Sequence, residues 1–312
     1  MVRAFAPASI SNIGPAFDVL GLAIDAPGDF VNARRSAVPG LNFSLLNTGS
    51  PVPTSASQNV AAHVAQLMLD EFKPTFGIEM ILDKQMPVGS GLGSSAASSV
   101  AAAVAVNALL PRKLNKHDLL RFVVEGERMA SGAPHADNVG PSLLGGLVLI
   151  RSYDPLDVVS IPCNARVIWV VVVHPHVVVK TKDARRVLPR QIPLRDAVHQ
   201  WGNVSGLTAG LISGDIGLIG KSIHDILVEP HRAKLIPGFA AVKKAALSSG
   251  ALGCSISGSG PSIFAVATSV ASARRIATCM VSAFRTTAGI SSDIYISRVN
   301  HTGACVERLR ER

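Results

Sequence analysis

Pro87-Val88-Gly89-Ser90-Gly91-Leu92-Gly93-Ser94-Ser95-Ala96 separates a strand-like run from a long alanine-rich stretch. Its glycines let the backbone turn through positive φ and approach a ligand with no Cβ in the way. The N–H groups that open the following helix then point into the turn, together with the positive end of the helix dipole. Such a turn suits an anion, phosphate above all, and Ser94 and Ser95 add hydroxyls for phosphate or metal. The plainer reading is a tight strand-to-helix turn that binds nothing. Two familiar phosphate loops are excluded by spacing. No Lys follows the last glycine as G-x-x-x-x-G-K-[ST] requires, and the glycines run G-x-G-x-G, not G-x-G-x-x-G.

Outward from this loop, 312 residues are enough for two domains with a sizeable core. An apolar share of 48% with 16% charged residues describes a globular chain. The net charge of +9 is scattered, with clusters only at Arg185-Arg186 and in the tail from Arg308 to Arg312. With aromatics at 4% there are few stacking platforms for bases, so a phosphorylated small ligand is favoured over nucleic acid. Cys163, Cys254, Cys279 and Cys305 lie far apart and form no C-x-x-C pair, which fits a cytoplasmic protein with reduced thiols. The N-terminus lacks the apolar core of a secretory signal, and the most apolar run, 167–173, is too short to span a bilayer.

The periodicity predicts a short strand at 2–5, a loop at 6–21, short strands within 29–50 and a helix from Thr54. A strand at 76–83, helices at 94–110 and 116–131, and a strand at 147–150 follow. The first domain is expected to close near 155, giving domains 1–155 and 156–312. The second begins with the β-branched run 167–173, followed by helices at 195–213 and 216–225 and a strand–glycine turn–strand at 253–265.

The ten residues 87–96 resemble the ATP signature of the GHMP kinases, which include galactokinase, homoserine kinase and mevalonate kinase. Ser257-Gly258-Ser259-Gly260-Pro261-Ser262 resembles the third motif of that superfamily. Three further blocks are similar to homoserine kinases. They are Asn12-Ile13-Gly14-Pro15-Ala16-Phe17-Asp18, His135-Ala136-Asp137-Asn138-Val139-Gly140-Pro141 and Glu229-Pro230-His231-Arg232. Thr181-Lys182-Asp183-Ala184-Arg185-Arg186-Val187-Leu188-Pro189 matches the family's T-x-x-A-R-x-x-L-P. Three positions depart from the pattern. Ser11, just before the first of these blocks, stands for alanine, Ala16 stands where the family has glycine, which matters if φ is positive there, and Gly140 stands for alanine.

The resemblance implies an α+β, two-domain GHMP kinase fold, with a ribosomal protein S5-like N-terminal domain and a ferredoxin-like C-terminal domain. It implies transfer of the γ-phosphoryl of ATP to the side-chain hydroxyl of L-homoserine, on the way to threonine, with Mg²⁺ and commonly as a homodimer. ATP would be cradled by Pro87, Val88, Gly89, Ser90, Gly91, Leu92, Gly93, Ser94, Ser95, Ala96 and Ala97. Ser95 and Glu127 would hold the metal, Glu127 lying eleven residues before Asn138. Asn12, Asp18 and Asn138 would orient the amino acid, and Arg185 and Arg232 would take its carboxylate, with Arg186 next door distinguished only by register. An amide at 138 cannot accept a proton at neutral pH, so no dedicated base is expected, and His135 is the residue that could overturn this. Alternatives are a GHMP kinase for another small alcohol and a non-enzymatic sensor of ATP or an amino acid.

Overall fold

The computed structural model describes residues 1–46, 52–164 and 168–307. The basic tail at 308–312, Val167 and the end of the 29–50 stretch lie outside the described residues. In chain order the elements are β1 (Val2–Ser11), β2 (Leu20–Ser36), β3 (Leu41–Leu46), α1 (Val60–Phe72), β4 (Gly77–Asp83), α2 (Ser94–Leu109), α3 (Lys116–Ser131) and α4 (Ala136–Leu144). Then come β5 (Leu147–Tyr153), β6 (Leu156–Ile161), β7 (Trp169–Pro175), α5 (Thr181–Arg186), α6 (Leu194–Ser213), α7 (Ile216–Ser222) and α8 (Glu229–Arg232). The last are α9 (Phe239–Ser248), β8 (Gly253–Ile256), β9 (Ile263–Ala267), α10 (Val270–Ala288), β10 (Ser292–Ser297) and β11 (Cys305–Glu307).

Two sheets organise these elements. The first runs β11-β1-β2-β4-β3, with β5 on the other stretch of β2 and β6 beyond it. β2 is long enough to pair with β4 through Phe30–Ser36 and with β5 through Leu20–Leu22. The second runs β10-β7-β9-β8, and the chain order β-α-β-β-α-β is the ferredoxin-like one. The molecule is thus α+β. The sheets do not divide at 155, because β6 and β11 belong to the first sheet.

α2 explains the alanine run. Thirteen of its sixteen residues are buried, so it has no polar face and passes through the middle of the first core. α3 is amphipathic and uncovers only one side, between an Asn115 N-cap and Gly132 in the left-handed region. In β7 the valines alternate between two cores. Val170 and Val172 pack with the first sheet's core, and Val171 and Val173 with α9 and α10. A strand covered on both faces reads as a continuous apolar run for this reason.

Several elements differ from the sequence reading. The 6–21 stretch is strand as far as Ser11, since Pro7 sits at a register shift in the β1–β2 ladder and needs no N–H there. α1 starts at Val60, because Asn59 Oδ1 caps Ala61 and Ala62. The Gly140-Pro141 pair reads as a loop signal, yet both residues lie inside α4. Burial of Val139 and Leu143 and a bond from Ser142 Oγ to the Pro7 carbonyl (2.8 Å) hold it helical. The second C-terminal helix stops at Ser222, and Asp225 instead accepts from the N–H groups of Leu227, Val228 and Glu229.

Candidate active site

The phosphate loop leaves β4 and enters α2 through Gly89, Gly91 and Gly93, all at positive φ. Gly93 sits at the N-cap, where a Cβ would come within 2.4 Å of Ser9 Oγ, and no side chain caps α2. α4, α5, α6, α8 and α9 lack a side-chain cap too; at α2, Gly93, Ser94 and Ser95 also line a cavity, which gives the first N–H groups room for an outside acceptor. Across from it, Ser257 Oγ donates to the Gly91 carbonyl at 2.7 Å, so the third glycine turn is fastened to the phosphate loop.

Beneath the loop lies a group that the sequence reading missed. Lys84 is buried and bonded to Asp29, to the Ser94 carbonyl (2.9 Å) and to Ser98 Oγ (3.0 Å). Asp29 Oδ1 also accepts from the N–H groups of Gln85 and Met86, both at 3.0 Å. One ion pair thus ties the exit of β4 to the first turn of α2, across both ends of the loop. Desolvation lowers the Lys84 pKa, and the Asp29 charge opposes it. Fifty-five residues separate the partners, so no local pattern announces them.

These elements enclose a cavity of about 420 Å³. It is lined by Asn12, Asp18, Val88, Gly89, Ser90, Gly91, Gly93, Ser94, Ser95, Glu127, His135, Asn138, Arg185 and Arg232. Lys84, Asp137, Asn59 and Gly258 line it as well. Pro87, Leu92, Ala96 and Ala97 do not; the last three are fully buried and pack beneath the loop.

At one end, Asp18 sits at φ 57° in the β1–β2 turn, a conformation that Asp tolerates. Asn12 holds that turn, accepting from the Asp18 N–H at 3.0 Å and donating to the Gly258 carbonyl at 3.0 Å. Arg185 Nη2 reaches both Asp18 oxygens at 2.9 Å, and its Nε donates to His135 Nε2 at 3.1 Å. Arg186 is largely exposed, beside Asp183 at 3.8 Å, so the cavity takes Arg185. Arg232 is buried, donating to the carbonyls of Ala184 (3.2 Å) and Gly258 (2.7 Å). Burial pulls its guanidinium down to about 10, against the attraction of Asp18, which leaves it charged at neutral pH. Both guanidinium groups lie over the Phe17 ring, at 5.3 and 5.0 Å.

At the phosphate end, Asn138 Oδ1 accepts from Ser9 Oγ at 3.1 Å, beside Gly93. Glu127 is buried on α3, its Oε2 3.8 Å from His135 Nδ1. Its Oε1 has no hydrogen-bond partner among the described residues. A buried, unpartnered carboxylate oxygen on a residue that lines one cavity with Ser94 and Ser95 is the hard donor type that Mg²⁺ takes. Of the departures from the family pattern, Ser11 lines the cavity, and the other two lie elsewhere. Ala16 is not among the described positive-φ residues and is buried in the core, and Gly140 faces Val148 and Val158. Neither lines the cavity. The arrangement can hold a polyanion with a divalent cation at one end and a small zwitterion at the other.

Residues 59–146 match the GHMP kinases N terminal domain and residues 207–286 the GHMP kinases C terminal domain. A homoserine kinase of Chlorobium phaeobacteroides (strain BS1) is 46% identical over 98% of this chain and 99% of its own. The crystal structure of homoserine kinase from Cytophaga hutchinsonii ATCC 33406 superposes with a TM-score of 0.93 at 51% identity, covering 98% of this chain and 97% of that one. The L. major mevalonate kinase in complex with R-mevalonate shares the fold at a TM-score of 0.73 and 19% identity, covering 95% of each chain.

Proposed function

The chain belongs to the homoserine kinases of the GHMP kinase family, and we propose that it transfers the γ-phosphoryl group of ATP to the side-chain hydroxyl of L-homoserine. The observation that carries this reading is the pair Arg185 and Arg232 over Phe17, beside Asp18 and in one cavity with the uncapped start of α2. Paired guanidinium groups next to a carboxylate suit the two charges of an α-amino acid. A simple alcohol such as mevalonate has no ammonium group for Asp18.

The backbone from Gly89 to Ser95 cradles the phosphates, and the Lys84–Asp29 pair keeps that loop in shape. Ser95 and Glu127 would hold Mg²⁺, which when bound neutralises phosphate charge. The substrate carboxylate goes to Arg185 and Arg232, displacing the Arg185–Asp18 pair and freeing Asp18 for the ammonium group. Asn12 acts by holding the Asp18 turn, and Asn138 flanks the hydroxyl. Phosphoryl transfer through a loose transition state needs positioning and charge neutralisation more than a strong base. The hydroxyl proton leaves toward the γ-phosphate or solvent. A homodimer in the cytoplasm completes the reading; among the described residues no helix is long and apolar enough to cross a membrane.

The test is ADP release from ATP and Mg²⁺ with L-homoserine, in parallel with mevalonate, galactose, L-serine and L-threonine. Turnover confined to L-homoserine is expected. Arg185→Ala and Arg232→Ala should each raise its KM about 10- to 100-fold, since hydrogen bonds to charged groups contribute about 1.5–3 kcal/mol. Turnover with mevalonate or galactose instead would discard this substrate pocket. ATP binding with no turnover on any acceptor would favour a sensor.

A further inference from the structure

Gln200 stands on α6, is 5% exposed and does not line the cavity. An amide sealed from solvent must find its partners within the protein, and both ends of this one do. Its Nε2 donates to the Pro15 carbonyl and to Asp225 Oδ1, each at 2.7 Å. Its Oε1 accepts from the Ile226 N–H at 3.0 Å.

These partners belong to two separate segments. Pro15 lies in the β1–β2 turn, three residues before Asp18, where Asn12, Ile13, Gly14 and Asp18 all take positive φ. Such a backbone keeps its conformation only where the surroundings hold it. Asp225 precedes α8, the helix that carries Arg232. Its Oδ1 also accepts from the N–H groups of Leu227 and Val228, and its Oδ2 from that of Glu229, at 2.9–3.0 Å. Gln200 therefore joins the turn that presents Asp18 to the start of the helix that presents Arg232, although 185 residues separate it from Pro15. On the cavity side the same two segments meet at the Gly258 carbonyl, which accepts from Asn12 Nδ2 at 3.0 Å and Arg232 Nη1 at 2.7 Å. Gln200 closes the frame from behind, out of reach of any ligand in the cavity.

Two grips on one small molecule work together only when their separation matches it. Resting on the homoserine reading, we infer that Gln200 is a positioning residue that sets the separation of Asp18 and Arg232 without touching the substrate. A ligand held at both ends depends on this brace. A ligand held at one end does not.

The experiment compares the wild-type chain with Gln200→Glu, which keeps the size of the side chain, removes the Nε2 donor and sets a second carboxylate against Asp225. Asn203→Ala is the control. Asn203 stands on the same helix and ties it to the same connection, donating to the His224 carbonyl at 2.8 Å, but among the described residues it has no hydrogen bond to the β1–β2 turn. Gln200→Glu should raise the homoserine KM about tenfold or more, with kcat within threefold, since the lost bonds include one to a charged group. Calorimetry then separates the grips. Affinity for L-homoserine should fall by the same factor, whereas 3-amino-1-propanol, which has only the ammonium group, and 4-hydroxybutyrate, which has only the carboxylate, should bind within twofold of wild type. Affinity for a non-hydrolysable ATP analogue should also stay within twofold, and Asn203→Ala should leave every one of these values within twofold.

Gln200→Glu with a lowered Tm but an unchanged homoserine KM would overturn the inference, because the amide would then be purely structural. So would single-charge ligands that lose as much affinity as L-homoserine, or an Asn203→Ala variant with the same rise in KM. If Gln200→Glu does not fold, hydrogen exchange on the wild-type chain decides. Saturating L-homoserine should slow exchange in the 12–18 turn and at 226–229 together, beyond the effect of the ATP analogue, and protection confined to one of the two segments would overturn the brace. A wild-type chain that neither binds nor phosphorylates L-homoserine would instead overturn the substrate reading itself.

Discussion

Gly91→Ala should separate the phosphate loop from the third glycine turn. Gly91 lies at φ +78°, and a Cβ there would come within 2.4 Å of the Ser257 carbonyl oxygen and 2.7 Å of that of Gly260. The Ser257 oxygen, the nearer of the two, cannot swing aside freely, since Gly260 N–H donates to it at 2.9 Å. The left-handed conformation alone costs alanine about 1–2 kcal/mol. Relief of the clash parts Ser257 Oγ from the Gly91 carbonyl and Ser262 N–H from the Ser90 carbonyl, at about 1 kcal/mol for each hydrogen bond. Together these come to about 3–4 kcal/mol. If the opened seam is the cheapest relief, ATP binding weakens by about two orders of magnitude. Gly289→Ala is the control, because Gly289 sits at φ +68° with nothing near its absent Cβ. It should lose about 1 kcal/mol of stability, lower Tm by about 2–4 °C and leave ATP binding alone. The readouts are calorimetric ATP affinity and Tm. A Gly91→Ala variant with ATP affinity within threefold of wild type and a Tm no lower than the control's would refute the reasoning.

Glu127→Gln keeps the shape and removes the charge, so turnover should fall at least about a hundredfold with a raised Mg²⁺ requirement, read from Mg²⁺ titrations of the rate. Lys84→Met strands the buried Asp29 charge and should destabilise the chain by about 3–5 kcal/mol; Lys84→Met with Asp29→Asn should recover part of that Tm, and an additive double variant would count against the pair. The Asp137 pKa, raised by burial, means that the folded state binds more protons than the unfolded one between the ordinary value of 3.8 and about 7. Unliganded stability from this group therefore falls as pH rises through that window, and Asp137→Asn should flatten the corresponding part of a denaturation-against-pH curve. His135→Ala should raise the homoserine KM more than it lowers kcat, and a collapse of kcat with homoserine affinity intact would restore the histidine as a base.

The parts of the site read from sequence are those whose chemistry is written in consecutive residues. The glycine loop is one, because its spacing announces a turn through positive φ, which Gly89, Gly91 and Gly93 make on the cavity wall. The bounds of α3 are another, set by Asn115 and Gly132. Prolines misled in two places. Pro7 lies inside β1 at a register shift, and Pro141 lies inside α4 because the burial of its neighbours outweighs one missing hydrogen bond. Asp29 and Lys84 carry no local signal, since each is an ordinary charged residue until β2 and β4 are paired. Arg185 and Arg186 are equivalent in sequence, and only the docking of α5 turns one toward Asp18 and the other toward solvent. Asp137 carries no local signal either, because what sets it apart, a buried Oδ1 without a hydrogen-bond partner among the described residues, exists only in the fold.

The same hydrogen bonds bear on whether the reaction needs a base. A guanidinium only donates, so the Arg185 bond occupies the lone pair of His135 Nε2. The imidazole proton then belongs on Nδ1, 2.8 Å from Ser131 Oγ, whose own hydroxyl lies within reach of the Glu127 carbonyl at 2.9 Å. His135 thus ends a chain running from Asp18 through Arg185 to the helix that carries Glu127. To take a proton from substrate it would have to release Arg185, which is the residue proposed to hold the substrate's carboxylate. Asn138 has no basicity to offer, and Asp137 stands among the charges of the ammonium end. On the proposed reading the groups best placed for the amino acid are therefore committed to gripping it, which leaves the hydroxyl with an orienting amide on one side and the γ-phosphate on the other.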